Sequence, residues 1–262
     1  FYGSSPRLPD TDDDGLIDGL DLGTKGHPAQ SLSPFKNRYL RFGGAETDYL
    51  ELPKDARMAL AKWTVEAWVK PDADETDGGV ILRRQATSAS ANYMLGLGDG
   101  IGVPINVPYA GFVPNFGGAP VILEAPFAIS TGEWSHVAAT YYNGNLRLFV
   151  GGTNVAMTTA GAAPAAYGGG PIIQRVGEGF KGAIDELRIW SKDRSGAEIL
   201  ANHDEVLTGL ENGLVAYYRF DDGTSYTNLG GGIVVGSSAN NGTNGLATTP
   251  AWMWGQVEEY VA

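Results

Sequence analysis

The chain has no cysteine, which excludes disulfides and thiolate metal sites and fits either a cytosolic protein or a bacterial secreted one stabilised by other means. Cations are scarce: 18 Lys and Arg stand against 30 Asp and Glu, for a formal charge of −12. That field repels phosphates and anionic headgroups, so nucleic acid is not an expected partner. No apolar run reaches the length of about 18 residues needed to cross a bilayer, so no membrane insertion is expected. The chain opens on Phe1 with no charged-then-apolar leader before Gly3, as expected of an excised or processed piece of a larger polypeptide. With only His27, His136 and His203 present, no Ser-His-Asp order carries weight, and His136, inside an apolar run, reads as a satisfied core residue. Glycine stretches such as Gly96-Leu97-Gly98-Asp99-Gly100 do not open a helix after a strand, so a phosphate cradle is excluded.

What is present is 43% hydrophobic residues, 38 Gly and 14 Pro over 262 positions, enough for one large core. Residues 1–36 are rich in Asp, Gly, Pro and Ser with no alternating run. A boundary near Ser31 therefore divides a 1–30 loop or linker from a 31–262 domain, whose 205–262 part would supply closing strands. Short β-rich runs then recur between turn signals: 38–42, 49–52, 64–69, 79–84, 92–97, 136–142, 146–150 and 183–190. This spacing argues for a sandwich or barrel. Alternation is clearest at 64–69, where Val65, Ala67 and Val69 share one face and Glu66 and Trp68 the other. Asn143-Gly144 between two runs predicts a hairpin with a type I′ turn. Ser195-Gly196-Ala197-Glu198 is a capping box leading into Ile199, Leu200 and Val206, which predicts one short helix.

The segments 99–120 and 158–171 are dense in Gly, Ala and Pro and are read as loops that cannot pack as regular strands. Their aromatics, Tyr109, Phe112, Phe116 and Tyr167, are the candidate ligand-binding residues, because exposed rings stack on sugar faces. Trp63, Trp68, Trp134 and Trp190 sit within the β-rich pattern and are assigned to packing.

Asp10-Thr11-Asp12-Asp13-Asp14-Gly15-Leu16-Ile17-Asp18-Gly19-Leu20-Asp21 places acids at loop positions 1, 3, 5, 9 and 12, with Gly at 6. A hard cation wants six to eight oxygens, and acids at alternate positions converge on it while the glycine permits the sharp turn. Asp10, Asp12, Asp14, Asp18 and Asp21, with the Leu16 carbonyl, are therefore predicted Ca²⁺ ligands. The pattern resembles thrombospondin type 3 and dockerin-type calcium repeats, and Asp at position 12, where an EF-hand has Glu, predicts weaker binding.

A wider resemblance rests on ordered fragments. Arg41-Phe42-Gly43-Gly44 with Tyr49-Leu50-Glu51-Leu52-Pro53, and Trp63-Thr64-Val65-Glu66-Ala67-Trp68-Val69-Lys70-Pro71, resemble the opening of the LamG-like (concanavalin A-like) jelly-roll family. The stretch from Gly132 to Tyr141, the strand from Leu146 to Gly151, Phe180 to Trp190, Ser195 to Leu200 and Gly213 to Gly223 match its later signatures in order, over roughly residues 38–255. The resemblance implies an all-β, two-sheet antiparallel jelly-roll sandwich with one short helix. It also implies an extracellular role in glycan or protein recognition, often with Ca²⁺. It would add a structural Ca²⁺ site from Asp48, Asp185 and carbonyls near Gly43 and Gly44, while the plainer reading has Asp185 pairing with Arg188 or capping a loop. Glu46-Thr47-Asp48-Tyr49-Leu50-Glu51 matches the Glu-x-Asp-x-x-Glu signature of jelly-roll β-glucanases, with Glu46 and Glu51 as nucleophile and acid. It falls, however, on a family strand pair. The chain is therefore read as a non-catalytic, calcium-dependent carbohydrate-binding or adhesion module of a larger bacterial surface or secreted protein. The alternatives are a structural spacer in an extracellular assembly and a glycoside hydrolase using Glu46 and Glu51.

Overall fold

The computed structural model describes residues 38–220 apart from 47–48, 53–54, 75–77, 88–89, 99–101, 115–117, 165–172, 206, 208–210 and 219, together with four two-residue strands beyond them. The strands are β1 (Arg38–Gly43), β2 (Leu50–Glu51), β3 (Trp63–Pro71), β4 (Gly79–Thr87), β5 (Ser90–Leu97), β6 (Pro108–Phe112), β7 (Val121–Glu124), β8 (Ser135–Tyr142), β9 (Asn145–Val150), β10 (Thr153–Thr159), β11 (Ile173–Val176), β12 (Lys181–Trp190) and β13 (Leu214–Tyr218). The short pieces are β14 (Ser225–Tyr226), β15 (Val235–Gly236), β16 (Thr243–Asn244) and β17 (Gly255–Gln256), and the α-helix is α1 (Gly196–Leu200). None of the described helices is long and apolar enough to cross a membrane.

Two antiparallel sheets form a jelly-roll sandwich. The eight-stranded sheet runs β10-β9-β8-β3-β12-β1-β17, with β13 also paired to β12; the seven-stranded sheet runs β16-β2-β11-β4-β5-β6-β7. Period-two alternation builds the core between them. Val65, Ala67 and Val69 of β3 point inward and are fully buried, opposite Ala139, Val137 and Ser135 of β8. Trp63 anchors one end, its ring 5.8 Å from Tyr93 and 6.0 Å from Tyr141. Truncating a buried ring of this size costs about 3–5 kcal/mol. The β8–β9 hairpin closes through Asn143 (φ 46°) and Gly144 (φ 81°), the positive pair a type I′ turn demands.

The expectation that 99–120 contains no strand is corrected: 108–112 forms β6 between β5 and β7. Its glycine reflects tight packing, since a Cβ on Gly111 would lie 2.4 Å from the Val121 carbonyl oxygen and 2.7 Å from Ile122 Cδ1.

On the outer face of the eight-stranded sheet, the row through Thr64, Glu66, His136, Ala138, Thr140, Arg188 and Trp190 is also buried, while Tyr142 at the end of β8 stays exposed. Beyond β12 the chain turns back as α1, whose capping box is formed: Ser195 Oγ accepts from the Glu198 amide, and Glu198 accepts from the Ser195 amide. Ile199 packs on Ala138 and Phe149, and Leu207 on Trp190 and Tyr217. Under this cover Glu66 Oε1 accepts 2.7 Å hydrogen bonds from Trp190 Nε1 and Arg194 Nη1. His136 lies there too, and the expectation that it is satisfied is corrected. Neither ring nitrogen has a hydrogen-bond partner among the described residues, and Nε2 is 3.7 Å from Glu66 Oε2. Burial, then the Arg188, His203 and Arg194 charges, holds its pKa well below the ordinary 6.5.

Candidate functional site

The middle of one outer sheet face is sealed, whereas the outer face of the seven-stranded sheet carries a row of accessible side chains. Strand register lays one row across it: Glu51 opposite Arg175, Arg175 opposite Arg83, Arg83 opposite Met94, Met94 opposite Gly111 and Gly111 opposite Ile122. The next row is Gly96, Tyr109 and Glu124. Apart from the buried Gly96 and Gly111, these residues are half-buried or exposed, Ile122 at 38%, while their chain neighbours Leu82, Leu95 and Ala110 are fully buried.

Tyr109 lies flat on this surface. A Cβ built on Gly96 would sit 2.6–2.7 Å from Cζ, Cε1 and the hydroxyl of the Tyr109 ring, so glycine at 96 is what lets the ring rest against the sheet. On the other side, Arg83 Nη2 and Arg175 Nη1 both donate to Glu178. The Arg175 guanidinium lies 3.8 Å from the Tyr49 ring centroid. These two cations meet two acids, Glu178 and, directly across the strand pair from Arg175, Glu51, on the same sheet face as Tyr109. The Arg83 and Arg175 side chains keep 25% and 21% of their surface in solvent, so donors of a fixed geometry meet an apolar ring on one open face.

Of the four aromatics predicted to bind ligand, Tyr109 is placed on this face. Phe112 is corrected: three residues further along β6 it points inward, fully buried, with its ring 4.9 Å from that of Tyr141. Phe116 and Tyr167 lie outside the described residues. So do Asp10, Asp12, Asp14, Leu16, Asp18 and Asp21 of the calcium loop, and Asp48.

Asp185 is described and fully buried. It stands at a β-bulge, where the register of β12 against β3 shifts between Asp185 and Arg188 and Glu186 takes φ 51°. Asp185 Oδ1 accepts the Glu186 amide at 2.9 Å, which steadies a backbone conformation that costs about 1–3 kcal/mol for a residue with a side chain. Arg188, the expected partner of Asp185, instead donates to Glu186 at 2.6 Å. Gly43 pairs with Lys181, four positions along the strand from Asp185, so the register does not bring Asp185 to Gly43. Among the described residues no group of three or more His, Asp or Glu is placed to hold a metal ion.

Glu46 is exposed in a turn, and its Oε1 lies 3.2 Å from where a Gly179 Cβ would be. Glu51 is on β2 opposite Arg175. The Glu-x-Asp-x-x-Glu stretch therefore does not run along one described strand, as a cleft-facing carboxylate row would require.

Sequence reasoning missed Arg83, Arg175, Glu178 and Glu124. The run 79–84 was legible as a strand, but a register shift between Val80 and Leu82 buries both Ile81 and Leu82. Simple alternation then fails to show that Arg83 faces out and Arg84 in.

The Laminin_G_3 family model, described as the concanavalin A-like lectin/glucanases superfamily, matches residues 42–200. No curated protein matches the chain in sequence. Among solved structures, a candidate carbohydrate binding protein from Bacteroides ovatus ATCC 8483 is similar at TM-score 0.62 and 21% identity, over 86% of this chain and 62% of that one. The present chain thus spans under two thirds of that protein's length. The CBM40 of the Ruminococcus gnavus IT-sialidase, solved with alpha2,3 sialyllactose, is similar at TM-score 0.51 and 15% identity, over 62% of this chain and 95% of that one. At these identities the structural likeness establishes the fold, and the family match, spanning more than half of the sequence in the order the fold requires, shows that the chain belongs to the concanavalin A-like lectin/glucanases superfamily.

Proposed function

We propose that the chain is a carbohydrate-binding module which presents the open face of its seven-stranded sheet to a glycan, without catalysis. The observation that carries the reading is the Tyr109 ring laid over Gly96 on the same sheet face as the Arg83–Glu178–Arg175 cluster. A pyranose offers an apolar C–H face to such a ring and hydroxyls to neighbouring guanidiniums and to Glu124, the combination that fixes a sugar's orientation. The Bacteroides ovatus and Ruminococcus gnavus structures, whose names refer to carbohydrate, support the same class.

The finer reading is of a secreted or cell-surface adhesion module within a larger polypeptide, with Ca²⁺ held by Asp10, Asp12, Asp14, Leu16, Asp18 and Asp21. In that reading the ion neutralises the acid cluster of the 10–21 loop. A glycan array run with and without calcium, then titration of the best glycan against Tyr109→Ala, tests the proposal. The expected result is affinity lowered about tenfold by loss of the stacking ring. Unchanged affinity in a folded Tyr109→Ala protein would place recognition elsewhere.

A further inference from the structure

At the end of the sandwich where β8 turns into β9, an open groove of about 560 Å³ runs between Ala61-Lys62, the 141–144 turn and the 160–163 segment. That volume is within the range of about 300–1,000 Å³ typical of small-ligand clefts. The groove is preformed. Its buried floor residue, Tyr141, accepts from the Gly144 amide at 3.3 Å and donates to the Ala162 carbonyl at 3.4 Å. The Ala160 amide donates to the Gly144 carbonyl at 2.6 Å. Walls tied to one another in this way spare a ligand the entropy of ordering them.

The lining defines what fits. Tyr142, next along the strand from Tyr141, turns outward and is 49% exposed, an aromatic face of the kind a pyranose ring covers. Lys62 holds its Nζ 5.5 Å from that ring's centroid, and it makes no ion pair with any described residue. The lining contains no Asp or Glu, so in a chain of net charge −12 this is a local positive spot on a negative molecule. Asn143 adds an exposed amide, and the far wall is Ala and Gly, narrow enough not to fill the groove. We infer that the groove is a second saccharide site, selective for a sugar whose ring carries a carboxylate or a sulfate, with Tyr142 stacking and Lys62 meeting the anion. It shares no residue with the Tyr109 face and stands without that reading.

The test titrates the whole chain with trigalacturonate (carboxylate), a chondroitin sulfate tetrasaccharide (carboxylate and sulfate) and neutral maltotriose by calorimetry. At least one acidic probe is expected to bind more tightly than maltotriose, with affinity falling as salt rises. Tyr142→Ala should weaken that binding about tenfold, and Lys62→Gln should lower it to the maltotriose level. A Cβ on Gly161 meets nothing within 4 Å, so Gly161→Trp should fold normally and block the groove. Tyr109→Ala should leave these affinities unchanged, which separates failure here from failure of the sheet-face reading. The inference is overturned if neither acidic probe binds, if maltotriose binds equally well, if Gly161→Trp binds like wild type, or if a hexa-aspartate peptide binds as tightly as the sugars.

Discussion

Replacing Glu66 by Ala removes the one carboxylate that two buried donors share. Glu66 is fully buried, and its Oε1 receives Trp190 Nε1 and Arg194 Nη1 at 2.7 Å each. Arg194 is itself nearly inaccessible: its Nη2 donates to the Glu198 carbonyl and to Asn202 Oδ1, and its guanidinium lies 4.1 Å from the Trp190 ring centroid. Without Glu66 this cation stays buried with no counter-charge, which costs about 3–5 kcal/mol when one partner of a buried pair is deleted. For a domain of this size, each kcal/mol moves the melting temperature by about 2–4 °C, so a fall of about 6–20 °C is expected. Glu66→Gln keeps an acceptor oxygen and the side-chain volume and should lose only about 1–3 kcal/mol. Adding Arg194→Leu to Glu66→Ala should recover part of the loss, because the orphan charge goes with it. Urea unfolding of the four proteins measures all three effects. A Glu66→Ala protein that is no less stable than Glu66→Gln would refute the view that the buried charge dominates.

His136 supplies a pH signature. Its folded pKa is depressed, so its contribution is fully present above about 6.5 and declines as pH falls below that value, by about 1.4 kcal/mol per pH unit. Urea melts from pH 7 to 5 should show this slope, and His136→Gln should flatten it even though Glu66, Arg188, Arg194 and His203 still surround the site. Gly96→Ala should push the tip of Tyr109 off the sheet, since the new Cβ would fall 2.6 Å from its Cζ. Because that tip can swing into solvent, glycan affinity should fall about as far as in Tyr109→Ala while stability changes by no more than about 1 kcal/mol. For the 10–21 loop, Asp12→Ala with Asp14→Ala should bind one Ca²⁺ fewer by calorimetry, and wild type at one hundred times the dissociation constant should gain about 2.7 kcal/mol. Incubation with laminarin or lichenan should release no reducing sugar; release that is lost in both Glu46→Gln and Glu51→Gln would make the chain a hydrolase.

The sandwich was legible where one physical rule governed a segment. Alternation in 64–69, the Asn143-Gly144 turn and the Ser195–Glu198 capping box each point to one local structure, and each is formed. Strand β6 was not legible, because Pro108 and Gly111 argue against a strand on propensity. The physical reason for Gly111 appears only with its neighbours, whose Val121 carbonyl and Ile122 methyl occupy the space a side chain would need. Phe112 shows the same limit. An aromatic in a glycine-rich stretch looks exposed, and only its parity within β6 sends it into the core.

The candidate site was less legible because the same residue types serve opposite ends on the two sheets. Glu66, Arg188 and Arg194 on one outer face, and Glu178, Arg83 and Arg175 on the other, are alike as residues. What separates them is the turn-back of α1 and the segment to Leu207, which seals the first set at 0–3% exposure and leaves the second set's arginines at 21–25%. Sealed ion pairs are costly to break and act as structure; half-open ones keep donors free for a visitor. On the sheet face Glu178 already neutralises part of the arginine charge, so a sugar hydroxyl, which needs only a spare N–H, fits there without displacing it. An incoming carboxylate would have to compete with Glu178. The acid-free groove beside Lys62 sets no such competition, and the two surfaces should therefore divide neutral from acidic sugars, the sheet face losing affinity on Tyr109→Ala with little salt dependence and the groove losing it on Lys62→Gln with a strong one.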